Sequence, residues 1–228
     1  MQVTGSNGIF VQVALDGFSI QTESDKARHS SGWMDAGSVF TAPELRSEYE
    51  EAEVSTFTPS VTLVPSDFHI PGNERNLLAS VAAVSDDDSV FCEPAPGLDA
   101  VLIWSSGPES PLAGAVVQTL KLSGCQKVRV LPELYRLLRH IPLVQQYNKV
   151  LCSYDGRVLC LVIAEGKSLR LCSTFRADSF TTAEYWIFDA VKSLQLNMEM
   201  TDIFFATPLS EEEEISLCSY FRSVDIIF

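Results

Sequence analysis

The sequence predicts an α/β protein with mixed sheets, and three observations predict it. From Asn148 to Phe175 the chain runs as three strand-like segments joined by tight turns. Beyond Thr181 the apolar period changes from 2 to 3.6, and the chain reads helix, strand, helix, strand. A strand running into Asp-Gly opens this stretch at Asp155-Gly156, and the same device stands near the N-terminus at Asp16-Gly17. Such self-similarity suggests a duplicated architecture.

Taken in order, Gly8 to Leu15 alternates as a strand, with Ile9, Val11, Val13 and Leu15 against Phe10, Gln12 and Ala14. Asp16-Gly17 follows, and Phe18 to Gln21 returns. Asp-Gly between apolar runs predicts a hairpin whose two central residues take positive φ. Thr22 to Gly37 is polar and reads as an exposed loop, with Gly37 to Phe40 completing a first meander. Ala42-Pro43-Glu44 marks a helix start, and Leu45 to Ala52 reads as a short acidic helix. Val54 to Thr58 and Ser60 to Pro65 are strand-like runs split by Pro59, which implies a kink, bulge or edge. Asn73 to Ala83 reads as a helix on Leu77, Leu78 and Val81. Asp86-Asp87-Asp88 lacks the spacing, Gly and Glu of a calcium loop and reads as solvated. Ala100 to Trp104 is a buried strand. Ser110-Pro111 opens a helix through Leu122 that Gly124 ends. Lys127 to Leu131 is a strand, and Pro132 begins a helix through His140.

In the second half, Asn148 to Tyr154 alternates, Val158 to Ala164 is continuously apolar as in a strand buried on both faces, and Ser168 to Phe175 alternates again. Thr181 with Glu184 fits a capping box for a helix whose face is Ala183, Ile187, Ala190, Val191 and Leu194. Asp202 to Thr207 is a strand ended by Pro208. Ser210 with Glu213 is a second capping box, Glu211 to Glu214 suit the positive end of the helix dipole, and Ile215, Cys218 and Phe221 form the expected stripe. Val224 to Phe228 is a last strand. A three-strand meander followed by helix, strand, helix, strand is the order of the ribonuclease-H-like unit, with right-handed crossovers and two parallel strands. The first half reads as a looser copy. The predicted division is residues 1–146 and 147–228, two ribonuclease-H-like lobes in an actin-like arrangement.

Composition bounds the function. A chain of 228 residues with 46% apolar content builds a real core. No run approaches the roughly 20 apolar residues of a membrane span, and Met1 to Gly8 lacks the regions of a signal peptide. A net charge of −14 argues against nucleic acid, since each phosphate contact needs Lys or Arg, and favours a basic protein partner. The six cysteines are scattered with no CxxC pair and read as reduced thiols of a cytoplasmic protein. No metal site is expected, because none of His29, His69 and His140 neighbours a cysteine at ligand spacing. The sequence holds no Gly-x-Ser-x-Gly elbow, Walker loop or Gly-x-Gly-x-x-Gly, so no catalytic residue is assigned. Trp33 and Tyr185-Trp186 read either as partner anchors or as ordinary packing.

Three phrases carry a family resemblance: Gly17-Phe18-Ser19-Ile20 after a strand, Val61-Thr62-Leu63-Val64-Pro65-Ser66-Asp67-Phe68, and Ala183-Glu184-Tyr185-Trp186-Ile187-Phe188 leading into Leu194-Gln195-Leu196. With them the chain resembles, over nearly its whole length, uncharacterised bacterial proteins assigned an actin-like ATPase fold, domain of unknown function 3822. The resemblance implies a fold and no reaction. Actin-like ATPases hold phosphates with two turns of the form Asp-x-Gly-Ser/Thr, one per lobe, whose amides face the phosphates while carboxylates hold the metal and its water. That resemblance makes Asp16, Gly17, Ser19, Asp155 and Gly156 the candidate residues for ATP with Mg²⁺. The match is partial. Asp and Gly are adjacent rather than spaced by one, the second turn has no hydroxyl, and Ala206-Thr207-Pro208 stands where an adenosine-binding Gly-Gly would be. The expected reading is a degenerate actin-like fold without cofactor, serving as a non-catalytic interaction or assembly module. The alternative is an ATP-binding protein or slow ATPase using an interlobe cleft.

Overall fold

The computed structural model describes residues 7–24, 27–105 and 110–227. Most of Met1 to Gly8 (residues 1–6), Asp25 and Lys26 of the polar stretch, and Phe228 of the last strand lie outside these. In chain order the elements are β1 (Gly8–Val13), β2 (Gly17–Ser24), β3 (Ala27–Asp35), β4 (Glu51–Thr56), β5 (Val61–Pro65), α1 (Glu74–Ala79), β6 (Val90–Pro94), β7 (Ala100–Ser105), α2 (Pro111–Leu122), β8 (Lys127–Pro132), α3 (Glu133–His140), β9 (Asn148–Tyr154), β10 (Val158–Glu165), β11 (Ser168–Arg176), α4 (Phe180–Ser193), β12 (Asp202–Phe205), α5 (Glu211–Cys218) and β13 (Ser223–Ile226). Contacts gather them into two units, Met1–Thr56 with Glu109–Leu131, and Phe57–Pro108 with Pro132–Phe228.

The first unit holds a five-stranded sheet in the order β3-β2-β1-β4-β8. β1 pairs antiparallel with β2 and parallel with β4. Its core joins Ile9, Val11, Val13, Phe18 and Ile20 to Val54 and to Val116 and Leu120 of α2. Three expectations fail here. The polar stretch after Thr22 is largely strand: β2 runs to Ser24 and β3 returns as an edge strand, where one side of the ladder faces solvent and apolar alternation is not required. The acidic helix over Leu45 to Ala52 is absent. Glu44–Arg46 makes only a 3₁₀ turn, and Glu51-Ala52-Glu53-Val54 alternates as β4, with Ala52 and Val54 buried. Gly37 to Phe40, expected to complete the first meander, lies in another 3₁₀ turn, Ala36–Phe40.

The second unit repeats the order as β11-β10-β9-β12-β13. β9, β10 and β11 are antiparallel, while β12 is parallel to β9 and β13 to β12. Alternate residues of β10, Leu159, Leu161 and Ile163, join the core with Ala183, Ile187 and Val191 of α4. Cys160, Val162 and Ala164 are buried as well, on the face that α3 covers. Cover on both faces explains the unbroken apolar run. α4 starts two residues earlier than the predicted box: Ser179 is the N-cap and accepts from Thr182 N. The Ser210–Glu213 capping box forms as read. The α5 stripe is shifted in phase, since Leu217 and Phe221 are buried while Ile215 and Cys218 are exposed. A third sheet in this unit, β5-β7-β6, is antiparallel and packs on α1. Pro59 therefore marks the passage between two sheets rather than a kink within one. No helix among the described residues is long and apolar enough to cross a membrane.

Candidate functional site

The two Asp-Gly turns are built differently. At the first, Ala14 N donates to Gly17 O (2.9 Å), so Leu15 and Asp16 occupy the corner. Neither Asp16 nor Gly17 has the positive φ expected of them. Gly17 is required by close approach instead. A Cβ there would overlap the Met34 carbonyl oxygen and lie 2.5 Å from Trp33 Nε1. Asp16 is exposed, and its carbonyl accepts from Ala36 N (3.0 Å). Ser19, the candidate phosphate-binding hydroxyl, is buried and points its Oγ at Gln12 Oε1 (3.5 Å).

At the second turn, Asp155 N donates to Val158 O (3.3 Å), and Gly156 alone takes positive φ, at 94°. The Asp155 carboxylate turns inward on its own loop. Oδ1 accepts from Arg157 N (2.9 Å) and Val158 N (2.7 Å). This is the Asx arrangement, in which a side chain substitutes for a backbone turn. Burial pushes the Asp155 carboxyl above its ordinary range, and the amide bonds from Val158 and Arg157 hold part of that rise back. Nearby, the Thr207 hydroxyl accepts from Tyr154 N (3.0 Å) in the segment that replaces Gly-Gly. The structure thus puts Asp16, Gly17 and Ser19 in a hairpin of the first unit and Asp155 and Gly156 in a hairpin of the second.

Two features of the second unit were not found by reading the sequence. One is a groove of about 660 Å³ walled by Leu98, Leu138, Pro142 and Leu169, with Arg139 and Lys149 among its polar lining. Lys149 is buried, which lowers its ammonium's pKa, and it donates to Val144 O (2.7 Å) and Ile141 O (3.4 Å). The other is a cluster of His69, Glu74 and Cys92. Glu74 Oε1 lies 3.0 Å from His69 Nε2 and 4.0 Å from Cys92 Sγ, and accepts from Gly72 N (3.1 Å). The backbone amides of Glu74 and Gly72 hold the Glu74 carboxyl below its ordinary range. Burial, then Glu74 and Glu93, push the Cys92 thiol up. No ligand motif spaces these residues this way, but Gly72 just before a helix-opening Glu was a visible sign of a reversal there. Of the aromatics, Trp186 stacks on Phe175 (5.1 Å between centroids) and donates from Nε1 to Arg176 O (3.3 Å), which is helix-on-sheet packing.

Comparison with known proteins agrees with this topology. Residues 17–224 match the sequence profile of the family described as Protein of unknown function (DUF3822). No curated protein matches the chain. Among solved structures, a Bacteroides thetaiotaomicron protein with an actin-like ATPase fold and unknown function superposes with a TM-score of 0.74 at 14% identity, over 98% of this chain and 91% of that one. A chain of the PilM-PilN type IV pilus biogenesis complex superposes with a TM-score of 0.55 at 11% identity, over 97% of this chain and 88% of that one. At these identities the likeness shows the fold, an actin-like ATPase fold.

Proposed function

This chain belongs to the DUF3822 family of proteins of unknown function, and from that premise we propose that it is a cytoplasmic, non-catalytic interaction or assembly module on an actin-like ATPase fold. The observation that carries this reading is the second turn. Asp155 binds the amides of Arg157 and Val158 with its own carboxylate. Those amides are then engaged, and a carboxylate lies where a phosphate oxygen would need donors. Buried Ser19 supports the same reading at the first turn. A neighbour of this fold is a chain of the PilM-PilN type IV pilus biogenesis complex, which supports a role in assembly. The partner is a protein with basic surface, given a net charge of −14.

Two experiments test this. The full chain incubated with ATP and Mg²⁺ should release no phosphate above a protein-free blank. Turnover that Asp155→Ala or Asp16→Ala abolishes would overturn the reading. Second, Asp155 should behave as a structural clamp. Asp155→Ala should cost about 1–2 kcal/mol, as capping side chains do. Asp155→Asn retains an oxygen acceptor and sheds the buried charge, so it should be neutral or stabilising at pH 7. A raised carboxyl pKa in the folded state means this group favours folding below its ordinary 3.8, and that contribution is lost as pH rises through the folded value. The Asn variant should therefore flatten the pH–stability curve in that window, read by urea denaturation.

A further inference from the structure

The third sheet has a thin interior. Its buried cluster is Val64, Leu78 and Ile103, with partly buried neighbours around it. α1 is only six residues long and packs on β6 and β7. Small assemblies of this kind gain from a cross-link where apolar burial is limited. The side chains for one are in place. His69 ends the 3₁₀ turn Ser66–Phe68, Glu74 opens α1, and Cys92 sits mid-way along β6.

We propose that His69, Glu74 and Cys92 bind a single zinc ion that ties the start of α1 and the loop before it to β6. The three donor atoms already lie within 4.8 Å of one another. Zinc–ligand bonds of about 2.0–2.3 Å at tetrahedral angles put donors roughly 3.3–3.7 Å apart. The His69–Glu74 separation of 3.0 Å and the Glu74–Cys92 separation of 4.0 Å straddle that range. Gly72, at φ 88°, reverses the chain so that its amide fixes Glu74 Oε1, as outer hydrogen bonds commonly orient metal-bound carboxylates. The donor set is one imidazole, one carboxylate and one thiolate. Magnesium and calcium take oxygen, so this mixture selects zinc or a similar borderline ion. Three protein ligands leave a fourth position for water or for a donor from a partner.

The test titrates Co²⁺ into the full, metal-stripped chain and follows absorbance. One equivalent should saturate the thiolate-to-cobalt band together with the d–d bands of a four-coordinate ion, and Zn²⁺ should displace it. Cys92→Ser should remove the thiolate band, whereas Cys218→Ser, at the other exposed thiol, should leave it. His69→Ala and Glu74→Gln should each weaken binding by roughly tenfold or more. One equivalent of Zn²⁺ should raise the Tm of the wild type and not of Cys92→Ser. The proposal is overturned by an absent thiolate band, by a band that survives Cys92→Ser, or by full-affinity binding in the His69 and Glu74 variants. Circular dichroism of each variant establishes that it is folded before titration.

Discussion

Arg136→Ala should destabilise the protein by about 3–5 kcal/mol, the expected cost of stranding a buried charge. Glu133 and Arg136 stand one turn apart on α3, at 0% and 2% exposure. Arg136 Nη1 donates to Glu133 Oε1 (2.7 Å), and Ser153 Oγ of β9 donates to the same oxygen (2.6 Å). Arg136 Nη2 also donates to Ile227 O (3.3 Å), just past β13. The guanidinium thus ties α3 to the end of the last strand, while Glu133 ties the same helix to β9. Truncating Arg136 takes the charged partner away from a carboxylate that is itself fully buried. Replacing the whole group, as Glu133→Met with Arg136→Met and Ser153→Ala, removes the charges together and should recover most of the loss. Urea midpoints at constant m-value check both results. A single variant within about 0.5 kcal/mol of wild type would show that the pair is solvated, contrary to its burial.

Gly17→Ala should cost about 1–3 kcal/mol, the range for inserting a methyl group where no space exists. The cause is steric and not a matter of φ. The added carbon meets the Met34 carbonyl, which is backbone of β3 and cannot rotate away, and the edge of the Trp33 indole. Met34 pairs with Phe18 in the β2–β3 ladder, so relief requires moving the strand. Trp33→Ala clears only the indole. The double variant should therefore recover little of the loss, and thermal denaturation of the three variants would show it. Full recovery in the double variant would place the clash on the indole alone.

How much of this could be read from the chain depends on where each signal lies. The second repeat was legible because its signals are local and agree. Ser210 and Glu213 sit at capping-box spacing, and β10 is apolar throughout because two helical layers cover it. β3 was not legible, since an edge strand needs neither alternation nor an apolar face. β4 carried the right signal, Glu51-Ala52-Glu53-Val54 at period 2, but acidic residues after a Pro-Glu start suggested a helix. At the candidate site the residues were found and their use was not. Asp155 and Asp16 share a dipeptide, yet one carboxylate folds back onto its own amides and the other is exposed at a corner. Side-chain rotation and turn register decide that, and neither is written in a two-residue pattern. The His69, Glu74 and Cys92 cluster is a product of tertiary packing, with 17 residues between the last two ligands.

We propose that the Asp155 turn is closed to phosphate. The most direct measurement is calorimetric titration of ATP and ADP, each with Mg²⁺, into the wild-type chain and into Asp155→Ala. No saturable heat is expected with the wild type at millimolar nucleotide. Saturable wild-type binding that Asp155→Ala abolishes would contradict it, because the carboxylate would then serve a nucleotide rather than its own turn.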